Sequence, residues 1–189
     1  GAQGQAAGTA AALAVAAAPG FWAIFSFYSM NAFDIVFVSV AGLILIEILK
    51  GKSQRLWISF GICVGIGLLN KYTLLPFGCA VLIGLLATRS RKMLATPWPW
   101  IAGSVAALIF LPNIVWQVKN GWPTIEFIRL TQQYSINPSS VGGYLSQLVL
   151  SMNPVAAPLW IGGLFYLFSA RPQRGGGVLG IVVLIFITI

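Results

Sequence analysis

Apolar residues in this chain are gathered into long runs that are separated by short polar segments. Most of the runs approach the ~20 residues that a helix needs to cross the hydrocarbon core of a bilayer. The predicted spans are 8–30, 35–49, 56–69, 73–88, 98–116, 144–168 and 178–189, and the most polar segment, 117–140, is predicted to be a loop. The pattern predicts an all-α fold, a polytopic transmembrane helix bundle in a single domain.

Composition excludes a soluble protein. Hydrophobic residues make up 58% of the chain and charged residues 7%, against about 25% charged residues in an ordinary soluble domain. The net charge of +8 does not indicate nucleic-acid binding, because the basic residues form short clusters between apolar runs, as the positive-inside rule predicts. The chain has no histidine, so a His-ligated metal or a Ser-His-Asp triad is excluded within it. Cys63 and Cys79 lie in apolar runs and imply no disulfide.

The apolar stretch 56–88 determines the predicted topology. As one tilted helix it would put its flanking basic clusters on opposite sides of the membrane and leave Lys71 in the lipid core. There an ammonium costs roughly 2.5–3.5 kcal/mol. Two short helices that meet near Lys71 avoid both problems, so we predict a hairpin. Gly61, Gly65 and Gly67 in its first arm favour close helix packing around a recessed polar site.

With this hairpin, most of the basic residues and the other polar residues are predicted to lie at opposite faces of the membrane. Eight of the eleven basic residues are predicted to face the cytoplasm: Lys50, Lys52, Arg55, Arg89, Arg91, Lys92, Arg171 and Arg174. Asp34, Asn70, Lys71 and the loop 117–140 are all predicted to lie at the outer face. Chemistry is therefore expected at the outer face.

The chain has three carboxylates, which differ in their surroundings. Glu47 is interpreted as an interfacial residue or a partner of Lys50, and Glu126 as a solvated residue of a short interfacial helix. Asp34 lies where an apolar run meets the outer surface. It is either a helix cap or simple interfacial charge, or a functional carboxylate in a region where polar groups are expensive.

Lys71 and the tryptophans also carry two interpretations. Lys71 either anchors a helix end or offers a compact positive charge to a phosphate. Most tryptophans fit an interfacial belt, although Trp116 and Trp122, which flank the polar loop, could also stack on a sugar ring.

Three segments carry a resemblance to a known family: FYSMNAFD, GLLNKYTLLPFG and FLPNIVWQVKNGWPT. In this order and separation they resemble bacterial membrane glycosyltransferases related to protein O-mannosyltransferases and to the aminoarabinose transferase of lipid A, the GT-C class. The resemblance covers essentially the whole chain. It implies a polyprenyl-phosphate-linked sugar as donor, a lipid, glycan or protein acceptor, and inverting displacement at the anomeric carbon on the periplasmic side of a bacterial inner membrane.

The resemblance also implies roles for particular residues. Asp34 matches the family's second acidic position and is the expected catalytic residue. Lys71 matches the basic position of the short-helix hairpin, for which the resemblance implies contact with the donor phosphate or with the polar site, and Asn70 and Tyr72 beside it are weaker candidates. The chain departs from the family in two places: position 120 is Asn where relatives often carry His, and the family's main acidic residue would lie upstream of Gly1.

Both ends of the sequence look cut, so we expect a fragment that is incomplete at both ends and inactive in isolation. Two rival functions remain: a secondary transporter or flippase for a lipid-linked substrate, and a non-catalytic membrane scaffold. Transporters favour polar groups at the midplane and inverted repeats, whereas the polar residues here gather at one face. No cofactor is expected, no metal site can be argued from one acidic residue, and the sugar and the acceptor are not specified.

Overall fold

The computed structural model describes residues 2–134, 141–168 and 175–188. These ranges are helical and contain no strand, so the predicted all-α fold is confirmed for the described part of the chain. The α-helices there are α1 (Ala2–Ala16), α2 (Pro19–Phe25), α3 (Met30–Leu49), α4 (Leu56–Asn70), α5 (Leu74–Ala87), α6 (Trp98–Lys119), α7 (Pro123–Tyr134), α8 (Val141–Ser151), α9 (Ala157–Phe168) and α10 (Gly176–Thr188). Two 3₁₀ segments, Arg89–Ala95 and Pro154–Ala156, interrupt them.

The helices are those of an integral membrane protein. Among the described residues, α3 and α6 are each long and apolar enough to span a bilayer, and the number rises to five if each bent helix pair counts as one span. The bends measure 63° between α1 and α2, 110° between α5 and Arg89–Ala95, and 93° between α8 and the helix that follows it. The seven spans predicted from the sequence stay a prediction.

The helices fall into two compact units. The first unit comprises Gly1–Ser29 and Gly121–Gly163, and the second comprises Met30–Asn120 and Leu164–Ile189. In the first unit α2 packs on α8, and the Asn153 side chain donates a hydrogen bond to the Ala17 carbonyl over 3.1 Å. The second unit holds the larger core and the predicted site, and the rest of the fold description concerns it.

The second unit is built around α4, which packs against both α3 and α6, while α10 packs on α5. The largest fully buried side chains of the described ranges all belong to this unit: Leu45, Trp57, Leu74, Leu85 and Val178. Aromatic rings extend the core from α4 across α5 to α10, with Phe77 between Phe60 at 6.3 Å and Phe186 at 6.1 Å. A continuous apolar core therefore fixes these helices relative to one another.

A strip of small residues lets α4 and α6 approach closely. A Cβ at Gly61 would collide with the backbone of Ala102, and one at Gly65 would come within 2.9 Å of the Ile109 Cβ. Small residues one turn apart permit such contact between membrane helices, where van der Waals packing replaces the hydrophobic effect as the force of association. Both glycines face α6, and this packing fixes the position of α4 along the axis of α6.

The stretch 56–88 folds as two helices that meet at residues 71–73. Lys71 is extended (φ −156°, ψ 143°) and ends α4, and α5 begins at Leu74. The break between α4 and α5 therefore lies at Lys71, the position that was predicted from the free-energy cost of a lysine in the lipid core. Because α4 runs towards this loop and α5 away from it, residues 55 and 88 lie at the same end of the second unit.

Three segments differ from the sequence expectation. The run 144–168 is interrupted at Asn153, which has a positive φ of 69° ahead of Pro154. The run 8–30, predicted as one span, is broken between α1, which ends at Ala16, and α2, which begins at Pro19. The segment 117–140 is largely helical, because α6 continues to Lys119 and α7 follows it; residues 135–140 lie outside the described ranges.

Candidate functional site

The polar residues singled out from the sequence gather at one end of the second unit, around the 71–73 loop. Two of them bind the first turn of α3. Asn70 donates a hydrogen bond from Nδ2 to the Met30 carbonyl over 2.9 Å, and Lys71 donates from Nζ to Asn31 Oδ1 over 2.9 Å. Both contacts join residues 40 positions apart, so they fix the hairpin tip against α3.

Tyr72 turns the other way and binds α6. Its hydroxyl donates to Asn113 Oδ1 over 3.1 Å and accepts from Gln117 Nε2 over 2.8 Å. Its ring stands edge-on to Phe110, with 5.7 Å between ring centroids. Gln117 is only 5% exposed, so a buried amide takes part in this cluster. The loop is thus tied to two different helices by consecutive residues.

Asp34 lies one helical turn after Asn31 on α3 and is 7% exposed. Its Oδ1 is buried and has no hydrogen-bond partner among the described residues. An unsatisfied buried carboxyl oxygen costs stability, and a catalytic role is one of the reasons for which a protein retains such a group. The helix-cap interpretation of Asp34 is wrong, because the residue lies inside α3, four residues after its start at Met30.

Asp34 and Lys71 are not paired with each other in the described structure. The ion pairs of the described residues join Glu47 to Lys50, at 3.2 Å, and to Lys52. The interpretation of Glu47 as a partner of Lys50 thus agrees with the structure. These pairs lie at the C-terminal end of α3, the opposite end of the helix from Asp34.

The two ends of the second unit differ in charge. The end opposite the 71–73 loop carries Lys50, Lys52, Arg55, Arg89, Arg91 and Lys92, all exposed. The loop end carries Lys71 and, at the last residue of α6, Lys119. Arg171 and Arg174 lie outside the described ranges. The separation of basic residues that the hairpin implied is present in the structure, whereas the side of the membrane that each end faces stays a prediction.

The two tryptophans proposed for sugar stacking belong to different units. Trp116 lies on α6 and is 54% exposed. Trp122 belongs to the first unit, has a positive φ of 61°, and its carbonyl accepts hydrogen bonds from the first turn of α7. The structure gives Trp122 a local role at the start of α7; sugar contact by either residue stays a prediction.

Sequence reasoning did not single out Asn31, Asn113 or Gln117, which supply the partners of Lys71 and Tyr72. Asn113 lies in the last turn of the predicted span 98–116, and Gln117, four residues later, is the first residue of the predicted polar loop. Polar groups are expensive there and usually find a partner, and this spacing was the available signal. No three His, Cys, Asp or Glu side chains come together as a metal site among the described residues.

Comparison with protein families assigns the chain to a family. The family model described as dolichyl-phosphate-mannose-protein mannosyltransferase matches residues 2–116, more than half of the chain. The matched segment contains Asp34, Asn70, Lys71, Tyr72 and Asn113 and ends one residue before Gln117. No curated protein and no solved structure matches the chain.

Proposed function

The chain belongs to the dolichyl-phosphate-mannose-protein mannosyltransferase family, a family of membrane glycosyltransferases of the GT-C type, and on this premise we propose that it transfers a sugar from a polyprenyl-phosphate donor. The acceptor is a lipid, a glycan or a protein. The reaction takes place at the loop end of the second unit, where Asp34, Asn31 and Lys71 lie on or beside one face of α3.

The observation that carries this proposal is the buried Asp34 carboxyl, whose Oδ1 has no partner in the described structure. In the reaction, the bond between the anomeric carbon and the phosphate oxygen breaks, and a bond to the acceptor hydroxyl forms. The hydroxyl loses its proton, and polyprenyl phosphate leaves with the bonding electrons. A carboxylate with an unused oxygen is suited to accept a hydrogen bond from that hydroxyl, and Asp34 orients or activates the acceptor in this way.

Lys71 neutralises the phosphate of the donor. Its partner in the structure is the Asn31 side-chain oxygen, which is neutral. The ammonium therefore keeps its charge uncompensated, and a phosphate oxygen would form a stronger, charge-assisted hydrogen bond than the amide does. Asn70 and Tyr72, on either side of Lys71, complete the donor end of the site. Trp116 offers an exposed aromatic face on the neighbouring helix.

The proposed outer location of the site is based on the positive charge at the other end of the second unit. Lys and Arg are enriched in cytoplasmic loops of membrane proteins, and six exposed basic residues lie at the end away from Lys71. In a bacterial plasma membrane, the loop end then faces the periplasm.

The test is a transfer assay in membranes that contain the intact protein, with a radiolabelled polyprenyl-phosphate sugar. Asp34→Asn and Lys71→Ala should each abolish most transfer while membrane insertion is unchanged. Arg91→Ala, an exposed basic residue at the opposite end, is the matched control and should keep full transfer. Wild-type transfer in both site variants would refute the site, and movement of intact donor across the membrane without transfer would favour a flippase.

A further inference from the structure

The contact between Tyr72 and α6 involves two residues, Asn113 and Gln117, that the proposed reaction does not use directly. The helices α4 and α6 run in the same direction and in register: Gly61 faces Ala102, Gly65 faces Ala106, and Tyr72 reaches Asn113. The same separation of 41 residues applies to all three pairs. Asn113 therefore stands level with the loop, and Gln117 lies one turn further along the same face of α6.

The two amides hold one hydroxyl from both sides. A tyrosine hydroxyl has a single proton to donate, and in the structure that proton is directed to Asn113 Oδ1 while Gln117 Nε2 donates to the oxygen. The edge-on contact with Phe110 fixes the ring as well. Hydrogen bonds in a low-dielectric interior are strong, and networks of them define one geometry. The Tyr72 side chain accordingly has one position relative to α6.

We infer that Asn113 and Gln117 are positioning residues of the donor site, which hold Lys71 in place through Tyr72. The inference rests on the proposed function, in which Lys71 meets the donor phosphate. Lys71 and Tyr72 are adjacent in a loop of three residues between two helices, so a fixed Tyr72 fixes the Cα of Lys71. The α3 contacts of Asn70 and Lys71 hold the loop from the other side.

The hydrogen bonds are not needed to bring α4 and α6 together. The close approach at Gly61 and Gly65 already joins these helices below the loop. What the amides add is the position of the tip, where Lys71 meets its substrate. A misplaced catalytic or binding group lowers activity steeply even when the fold is intact. The variants should therefore change donor binding much more than they change the stability of the protein.

A double-mutant cycle separates this role from a merely structural one. Tyr72→Phe removes the hydroxyl and keeps the ring contact with Phe110, and Gln117→Leu removes the buried amide at similar volume. Each should raise the KM for the polyprenyl-phosphate sugar about fivefold to twentyfold, with kcat within about twofold, as expected for the loss of one hydrogen bond. The double variant should be no worse than Tyr72→Phe, because Gln117 acts through that hydroxyl. Asn113→Ala should raise the KM in the same way.

Asn120→Ala is the control for the helix end, because the Asn120 side chain donates a hydrogen bond to the Trp116 carbonyl of its own helix. This variant should leave the KM unchanged. Additive effects of Tyr72→Phe and Gln117→Leu, or an unchanged KM in either single variant, would overturn the inference. The Lys71→Ala variant, measured alongside, keeps the two proposals apart. If it raises the KM and the cycle is additive, the positioning role alone is wrong. If it leaves the KM unchanged while the cycle shows coupling, the phosphate role of Lys71 is wrong and the control of Tyr72 by α6 remains.

Discussion

Lys71 Nζ donates a hydrogen bond to Asn31 Oδ1 over 2.9 Å, across 40 residues of sequence, and so places the only charge of the 71–73 loop one helical turn from Asp34. The acceptor is an amide, and it orients the ammonium without neutralising it. A cation held in this way is ready for an anionic ligand, and the identity of residue 31 thus controls the strength of the proposed donor site.

Asn31→Asp should weaken donor binding although it strengthens the contact with Lys71. A carboxylate at this position would form an ion pair with the ammonium and compete with the phosphate for it, so the KM for the donor should rise about tenfold. The measurement is steady-state transfer over a range of donor concentrations. Asn31→Ser keeps a neutral oxygen and serves as the matched variant; an equal rise in KM for both would contradict the argument from charge.

Asp34→Leu should inactivate the enzyme and stabilise the fold. The substitution removes a buried carboxyl whose Oδ1 has no partner in the described structure, and relief of that cost is worth about 1–3 kcal/mol. The measurement is thermal unfolding of the purified protein in detergent, together with transfer activity, for which a loss of about 100-fold or more is expected. A lower unfolding temperature would mean that the Asp34 carboxyl is a structural group.

Gly61→Ala should destabilise the second unit, because the added Cβ would meet the Ala102 backbone. Overpacking of this kind costs about 1–3 kcal/mol. Gly103→Ala is the control: Gly103 also lies in a packed helix pair, on α6, but has nothing within 4 Å of the Cβ position. There the better helix propensity of alanine should give a gain of about 0.5–1 kcal/mol. Equal unfolding temperatures for the two variants would refute the close approach of α4 and α6.

Labelling of single cysteines should place the two ends of the second unit on opposite sides of the membrane. In a background with Cys63 and Cys79 replaced by alanine, a membrane-impermeant thiol reagent added from outside should label Lys71→Cys and Asn31→Cys. The same reagent should reach Arg91→Cys only after the membrane is permeabilised. Labelling of residues 71 and 91 from the same side would be incompatible with the proposed topology.

The break at Lys71 was predictable because one free-energy term dominates it. A lysine in the middle of a long apolar stretch leaves few arrangements with a tolerable cost, and a turn back at this residue is the simplest. The break at Asn153 had a weaker signal. A residue before proline disfavours helical backbone. The residues on either side of Asn153, however, are apolar enough for 144–168 to look like one continuous run. The contact that stabilises this break, from Asn153 to the Ala17 carbonyl, joins residues 136 positions apart and leaves no trace in local sequence.

The site was predictable in part for a related reason. Asp34 and Lys71 stand out as charges within apolar surroundings, whereas Asn31, Asn113 and Gln117 are neutral and look like ordinary residues of a helix end. Their roles depend on which helix faces them. For Asn113 and Gln117 that is set by the register of α4 against α6, which follows from packing at Gly61 and Gly65. For Asn31 it is set by the packing of α3 on α4. The hydrophobic pattern locates the apolar helical segments, but it does not determine which side chains meet.

The length of α6 beyond the hairpin tip has a consequence for the bilayer around the site. This helix continues from Asn113 to Lys119, roughly 9 Å at 1.5 Å per residue, beyond the level of the hairpin tip. If its last turn reaches the headgroups, Lys71 lies at the depth of the outermost acyl carbons. A phosphate that meets Lys71 must sink below the plane of the surrounding phospholipid phosphates, and a local dip in the leaflet lowers the cost of that descent. Membrane thickness would then set the reaction rate, with thin bilayers the more permissive.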